Sequence, residues 1–141
     1  MKLAMNATDL QAFLARDFGQ VAEDFVVENV GAERLVLRLK VAERHLRPGG
    51  TVSGPAMFGL ADVAMYLAIL AQIGPVALAV TTNCSMDFMR KPEAGRDLLA
   101  HARVLKLGRA LAVGDVMLFS EGLDRPVARA GLTYSIPPKA V

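Results

Sequence analysis

Along residues 55–73, PAMFGLADVAMYLAILAQI, apolar side chains occupy every direction of a helical wheel, and Asp62 is the one charge. A helix that is apolar all round has to be wrapped by other elements on most of its sides. Gly54 suits its N-cap, Pro55 suits a first position where no N–H is needed, and Gly74-Pro75 ends it. The pattern predicts a long central helix within 54–73, running from about Pro55 to Gln72. Upstream, within residues 1–20, Thr8 can cap a short helix over Asp9 to Phe18, with Leu10, Phe13, Leu14 and Phe18 on one stripe.

The remaining segments alternate with the period of two that marks strands. Phe25 to Val30 and Leu35 to Val41 read as a pair about a turn near Gly31. Four more follow the helix: Val76 to Arg90, Asp97 to Leu107, Leu111 to Ser120 and Val127 to Ile136, with turns at 91–95, 108–109 and 121–126. Val76, Leu78, Val80, Thr82, Cys84, Met86 and Phe88 are expected on one face of the first, and Ala128, Ala130, Leu132, Tyr134 and Ile136 on one face of the last. Helix, two strands, very apolar helix and four hairpin-linked strands predict an α+β domain spanning 1–141, a curved antiparallel sheet around the central helix.

Composition narrows what such a domain does. Hydrophobic residues make up 53% of the chain, far from a disordered composition. Sixteen Lys and Arg against fourteen Asp and Glu leave +2, with the basic residues dispersed, so no nucleic-acid-binding arm is expected. One cysteine permits no internal disulfide and fits a reducing, cytoplasmic compartment. The first twenty residues lack the unbroken apolar run of a secretory signal. Residues 55–73 are long enough to cross a bilayer, but a mid-span charge costs about 2.5–3.5 kcal/mol on insertion scales. Polar, alternating segments on both sides favour a sheet-wrapped helix and no membrane span.

Asp62 is the candidate for chemistry, because an ionised carboxylate among apolar neighbours is costly unless partnered. The plain alternative is a buried Asp satisfied by backbone or arginine, or one facing a groove between subunits. The helix start, Thr51-Val52-Ser53-Gly54-Pro55, offers orphan N–H groups and the positive dipole end, which can hold a developing oxyanion; ordinary capping is the competing reading. Positions 54 and 62 lie about 12 Å apart along one helix. If both act on one carbonyl they come from two chains whose helices run antiparallel across a two-fold axis, giving a homodimer, or a dimer of dimers, with sites at the interface.

Residues 50–62, Gly-Thr-Val-Ser-Gly-Pro-Ala-Met-Phe-Gly-Leu-Ala-Asp, resemble the PaaI-type hotdog-fold acyl-CoA thioesterases, whose Asn-x-x-Gly-x-x-His-Gly-Gly precedes Leu-Ala-Asp at the same spacing. Residues 81–92 (TTNCSMDFMRKP) and 107–116 (LGRALAVGDV) match that family's later strands. The resemblance implies a hotdog fold and hydrolysis of an aryl or medium-chain acyl-CoA. It makes Asp62 the nucleophile or general base, the Gly54 amide of a partner chain the oxyanion donor, and Thr81 a hydroxyl that orients water. No cofactor or metal is implied. Three positions depart: Ser53 replaces the His, Arg47 the Asn, and Pro55 a Gly, with loss of one N–H. Those departures motivate the alternative of a non-catalytic acyl-CoA-binding domain. A hydratase on this fold would need a His on the helix, and there is none.

Met57, Phe58, Met65 and Tyr66 are expected to line a groove for the acyl chain, with core or interface packing as the alternative. Ser53, Arg47, Thr82, Arg90 and Arg109 complete the expected substrate-binding set, with Lys91, Arg103 and Lys106 as further cations; solvated surface charge is the default for each. Cys84 reads as a core thiol. His45 and His101 have no metal-ligand spacing.

Overall fold

The computed structural model describes residues 3–138. Helix α1 spans Ala7–Asp17, followed by strands β1 (Phe25–Gly31) and β2 (Arg34–Leu39). Helix α2 spans Gly54–Ile73 and leads to strands β3 (Val80–Phe88), β4 (Leu98–Leu107), β5 (Leu111–Ser120) and β6 (Pro126–Ser135). The strands form one antiparallel sheet in the order β1-β2-β4-β5-β6-β3. This is the hotdog architecture: α+β, with the sheet curled about α2.

The wrapping follows from side-chain volume. Paired positions across the sheet read Leu37, Ala100, Leu118, Ala128 in one row and Leu35, Ala102, Val116, Ala130 in the next. Alternating large and small residues make a concave surface into which α2 settles, and Leu60, Ala64, Leu67, Ala68 and Ala71 are fully buried against it. Gly114 allows the closest approach: a Cβ there would lie 2.3 Å from Met65 Cε and 2.6 Å from the Arg103 carbonyl oxygen. The helix is long and apolar enough to cross a membrane by length and composition, yet 67% of its most apolar 18-residue stretch is buried inside the fold. At one end of the sheet Arg38 bridges Glu28, Asp97 and Glu121 at 2.6, 3.0 and 2.7 Å. Asp97 also accepts the Val41 N–H, fastening the segment after β2 to the start of β4.

Several boundaries differ from the sequence reading. Asn6, not Thr8, caps α1, in a reciprocal capping box with Asp9, so the helix starts earlier than expected; it also ends one residue earlier, at Asp17. Residues 1 and 2 of the expected N-terminal segment lie outside the described ones. Strand β3 begins at Val80, not Val76, because the chain turns after Gly74 and closes that turn with an Ala79 N–H bond to the Val76 carbonyl. A register shift between Thr81 and Asn83 then interrupts the simple alternation. Cys84 and Met86 pack against the core, but Val80, Thr82 and Phe88 are exposed and do not share their burial. Ile136 follows the last strand instead of belonging to it.

Gly114→Ala is expected to destabilise the fold by about 1–3 kcal/mol, because the clash includes main chain that cannot swing aside. Urea denaturation checks this, and trimming Met65 to Ala in the same chain should not restore the midpoint.

Candidate active site

The turn that delivers the chain into α2 is held by main chain. Arg47 N–H donates to the Thr51 carbonyl at 2.9 Å and Ser53 N–H to the His45 carbonyl at 2.8 Å. Ser53, not Gly54, is the N-cap: its hydroxyl oxygen accepts the Ala56 N–H at 3.3 Å, a service glycine lacks. Gly54 is therefore the first helical residue, half-buried, and its N–H donates to no described residue. It opens on a cleft of about 370 Å³ lined also by Arg47, Met57, Phe88, Arg90 and Lys91.

Two turns along α2, Asp62 lies at a second cleft of about 530 Å³. No residue lines both clefts. The separation expected from helical rise is thus real: one chain presents the two groups on different openings. Asp62 is half-buried, and two hydroxyls converge on a single oxygen. Thr81 Oγ1 and Tyr134 OH each donate to Asp62 Oδ1 at 2.5 Å. Tyr134 OH also lies 2.8 Å from the Asp62 main-chain carbonyl oxygen. Asp62 Oδ2 has no partner among the described residues and is not among the buried unpartnered atoms, so it is accessible from the cleft.

Thr81, which the resemblance makes a hydroxyl that orients water, lies within hydrogen-bond reach of Asp62, and Tyr134 is not among the residues expected at the site. The signal was available: on the inward face of β6, Ala128, Ala130 and Leu132 end in hydrocarbon, whereas a buried tyrosine needs a partner for its hydroxyl. Burial first, and then the charge of Asp62, push the Tyr134 phenol far above its ordinary range, so it stays a proton donor. Its ring stacks on Tyr66 at 6.1 Å and 26°, and Tyr66 meets Phe18 edge-on, also at 6.1 Å. The segment after α1, through Phe18, Gln20 and Val21, therefore supplies one wall of the cleft, with Asp17 at its rim. That contribution had no counterpart in the sequence reading.

The four residues expected to line one acyl groove do not do so. Met65 is fully buried against Gly114, because its face of the helix meets the sheet. Phe58 is 41% exposed, Met57 faces the Gly54 cleft, and only Tyr66 reaches the Asp62 cleft, where its hydroxyl donates to the Ala77 carbonyl at 2.8 Å. Thr82 points away from Asp62, on the exposed side of the register shift, and donates to the Thr133 carbonyl at 3.3 Å. Arg109 lines a third opening, with Ile73, Val76 and Ile136, removed from both clefts. Arg47 and Arg90 do reach the Gly54 cleft, where Arg90 is steadied by the Pro126 carbonyl at 2.6 Å. Cys84 is half-buried, and burial followed by the charge of Asp62 raises its thiol. Among the described residues no cluster of His, Cys, Asp and Glu could hold a metal ion.

The profile of the thioesterase superfamily matches residues 49–127, which include the α2 residues of both clefts. A candidate thioesterase from Silicibacter sp. TM1040 is 59% identical in sequence and superposes with a TM-score of 0.91 over 98% of this chain and 96% of its own. A mutant of the phenylacetic acid degradation protein PaaI from Thermus thermophilus is 29% identical, with a TM-score of 0.70 over 89% of this chain and 99% of its own. Human acyl-coenzyme A thioesterase 13 is 27% identical over 116 residues, 82% of this chain and 81% of its own.

His45, whose carbonyl holds Ser53, is itself buried, and its Nδ1 accepts the Ala42 N–H at 2.9 Å. Burial, with the charge of Arg44 second, lowers its affinity for a proton in the folded chain below the ordinary histidine value of 6.5. Protons thus favour the unfolded chain: this contribution is complete above the ordinary value and is lost as pH falls below it. The urea midpoint is expected to drop between about pH 7.5 and about pH 5.5, and to drop less in His45→Gln. Equal slopes in the two chains contradict the assignment.

Proposed function

We propose that this chain, a member of the thioesterase superfamily and so a thioester hydrolase, acts on an aryl or medium-chain acyl-CoA through Asp62 and Gly54. The observation that carries the reading is the state of Asp62: one oxygen held by two hydroxyls, the other open to a cleft with an apolar and aromatic wall. As general base, Asp62 takes a proton from water while the water oxygen attacks the thioester carbonyl carbon. The carbonyl oxygen gains charge opposite the Gly54 amide at the positive end of α2. Collapse expels the thiolate, which takes the proton from Asp62, leaving free acid and CoA thiol. Attack by Asp62 itself, through an acyl anhydride that water then opens, uses the same two groups. Arg47, Arg90 and Lys91 gather at the Gly54 cleft, a charge complement to the phosphates of CoA. The acyl-CoA thioesterase name of the human relative supports that substrate class. The lone cysteine fits a cytoplasmic setting.

Because Gly54 and Asp62 open on different clefts of one chain, the site in this reading is completed across a homodimer, or within a dimer of dimers. Strand β3 supports that arrangement: it is an edge strand with no fully buried residue, and it carries Thr81. The three departures at Arg47, Ser53 and Pro55 leave both acting groups in place, and Ser53 retains a structural task as cap. Binding of acyl-CoA without turnover is the competing outcome.

Thiol release from a panel of aryl and aliphatic acyl-CoAs tests the chemistry, and Asp62→Asn is expected to lose about 10²–10⁴-fold. Hydrolysis by Asp62→Asn at the parent rate removes Asp62 from the mechanism. Shared sites are tested by mixing chains. Gly54→Pro deletes the donor N–H, and Ser53, extended at ψ 158°, tolerates a following proline. Asp62→Asn and Gly54→Pro chains, each inert, should together recover about a quarter of parental activity after subunit exchange, since half the dimers would hold one intact site. No recovery in a verified hybrid dimer places both groups in one chain.

A further inference from the structure

The hydroxyl of Tyr134 has one proton and two acceptors within reach, Asp62 Oδ1 at 2.5 Å and the Asp62 carbonyl oxygen at 2.8 Å. Both belong to the residue whose charge changes during hydrolysis. The ring is held independently of either bond, stacked on Tyr66, which is itself anchored through its hydroxyl to the Ala77 carbonyl. Thr81 makes the second bond to Oδ1 from β3, while Tyr134 makes its own from β6, so two neighbouring strands grip one oxygen from different elements.

We propose that Tyr134 is a positioning residue of the hydrolysis: with Thr81 it fixes Oδ2 as the reacting oxygen of Asp62, and its hydroxyl turns between Oδ1 and the Asp62 carbonyl as the carboxylate loses and regains its charge. This rests on the reading of Asp62 as the working carboxylate. While Asp62 is ionised, the hydroxyl donates to Oδ1, where a charged acceptor makes the stronger bond. Once Oδ2 has taken the proton of water, or has bonded to the acyl carbon, Oδ1 is a weaker acceptor. The carbonyl then offers a bond of ordinary length for a small rotation about the C–O bond, and the buried hydroxyl is not left without a partner. A carboxylate pinned at one oxygen also loses rotational freedom about its own bond, so the attacking geometry is set before substrate arrives. The residue's high affinity for its proton keeps it a donor throughout.

Tyr134→Phe removes the hydroxyl and keeps the ring and its stack. On the acyl-CoA that the parent chain hydrolyses best, kcat is expected to fall about 10–100-fold with KM within about twofold, since an interaction serving the transition state moves kcat. Thr81→Val should fall similarly and Thr81→Ser should keep most of the rate, because the same hydroxyl is retained. The Tyr134→Phe, Thr81→Val double variant should lose less than the product of the single losses, as expected for two groups that hold one oxygen. A kcat within twofold of the parent in Tyr134→Phe, or a raised KM at unchanged kcat, overturns the proposal. The Asp62→Asn chain separates the two failures. If it is inert while Tyr134→Phe is fully active, only the role of Tyr134 falls. If it is active, or if the parent chain hydrolyses nothing on the panel, the reading of Asp62 falls and this inference with it.

Discussion

Helix α2 offers water almost nothing to solvate, and the rest of the molecule is arranged around that fact. Twenty residues with one charge cannot lie on a flat sheet, which would cover a single stripe and leave the opposite side wet. The sheet curls instead, and the rows of alternating large and small side chains on its inner surface follow that curvature. α1 adds cover where the sheet does not reach, through Leu10, Phe13 and Leu14, which are fully buried. Hydrophobic burial therefore sets both the curvature and the depth at which Asp62 is held.

A carboxylate at that depth needs partners, and the partners determine what it can do. Donors on both oxygens would leave it no free lone pair for chemistry, and donors on neither would leave its orientation unset. Two hydroxyls hold one oxygen of Asp62, while the second oxygen stays available. The donors come from β3 and β6, which lie side by side although they are separated in sequence by two other strands. The site is thus a product of sheet order as much as of the helix that carries Asp62.

Much of this was legible in the residues. The bounds of α2 and the presence of six strands follow from periodicity and end signals, and one misplaced charge singles out Asp62. Thr81 was reached through resemblance alone, and the structure sets its hydroxyl on Asp62. What escaped had a common cause: it depends on which strand lies beside which. Tyr134 is more than seventy positions from Asp62, and no local pattern ties them. The early end of α1 and the wall formed by Phe18 and Val21 depend on how that helix docks. Met65 looked like a groove residue because helical spacing gives its angle about the axis, not what stands opposite. The register shift in β3 is equally invisible, since a bulge leaves the alternation of residue types unbroken on the page.

The contact between Met65 and Gly114 has a consequence for how such a chain can change over time. Any side chain at 114 meets main chain as well as Met65, so that position has no open single step. Met65 is flexible and can be exchanged for residues of similar volume at small cost. Drift in this part of the core is therefore directional: position 65 can wander while 114 stays fixed, and the fixed partner sits in a strand that bears no group of either cleft. An invariant glycine there would record packing against α2 and the neighbouring strand β4, not chemistry.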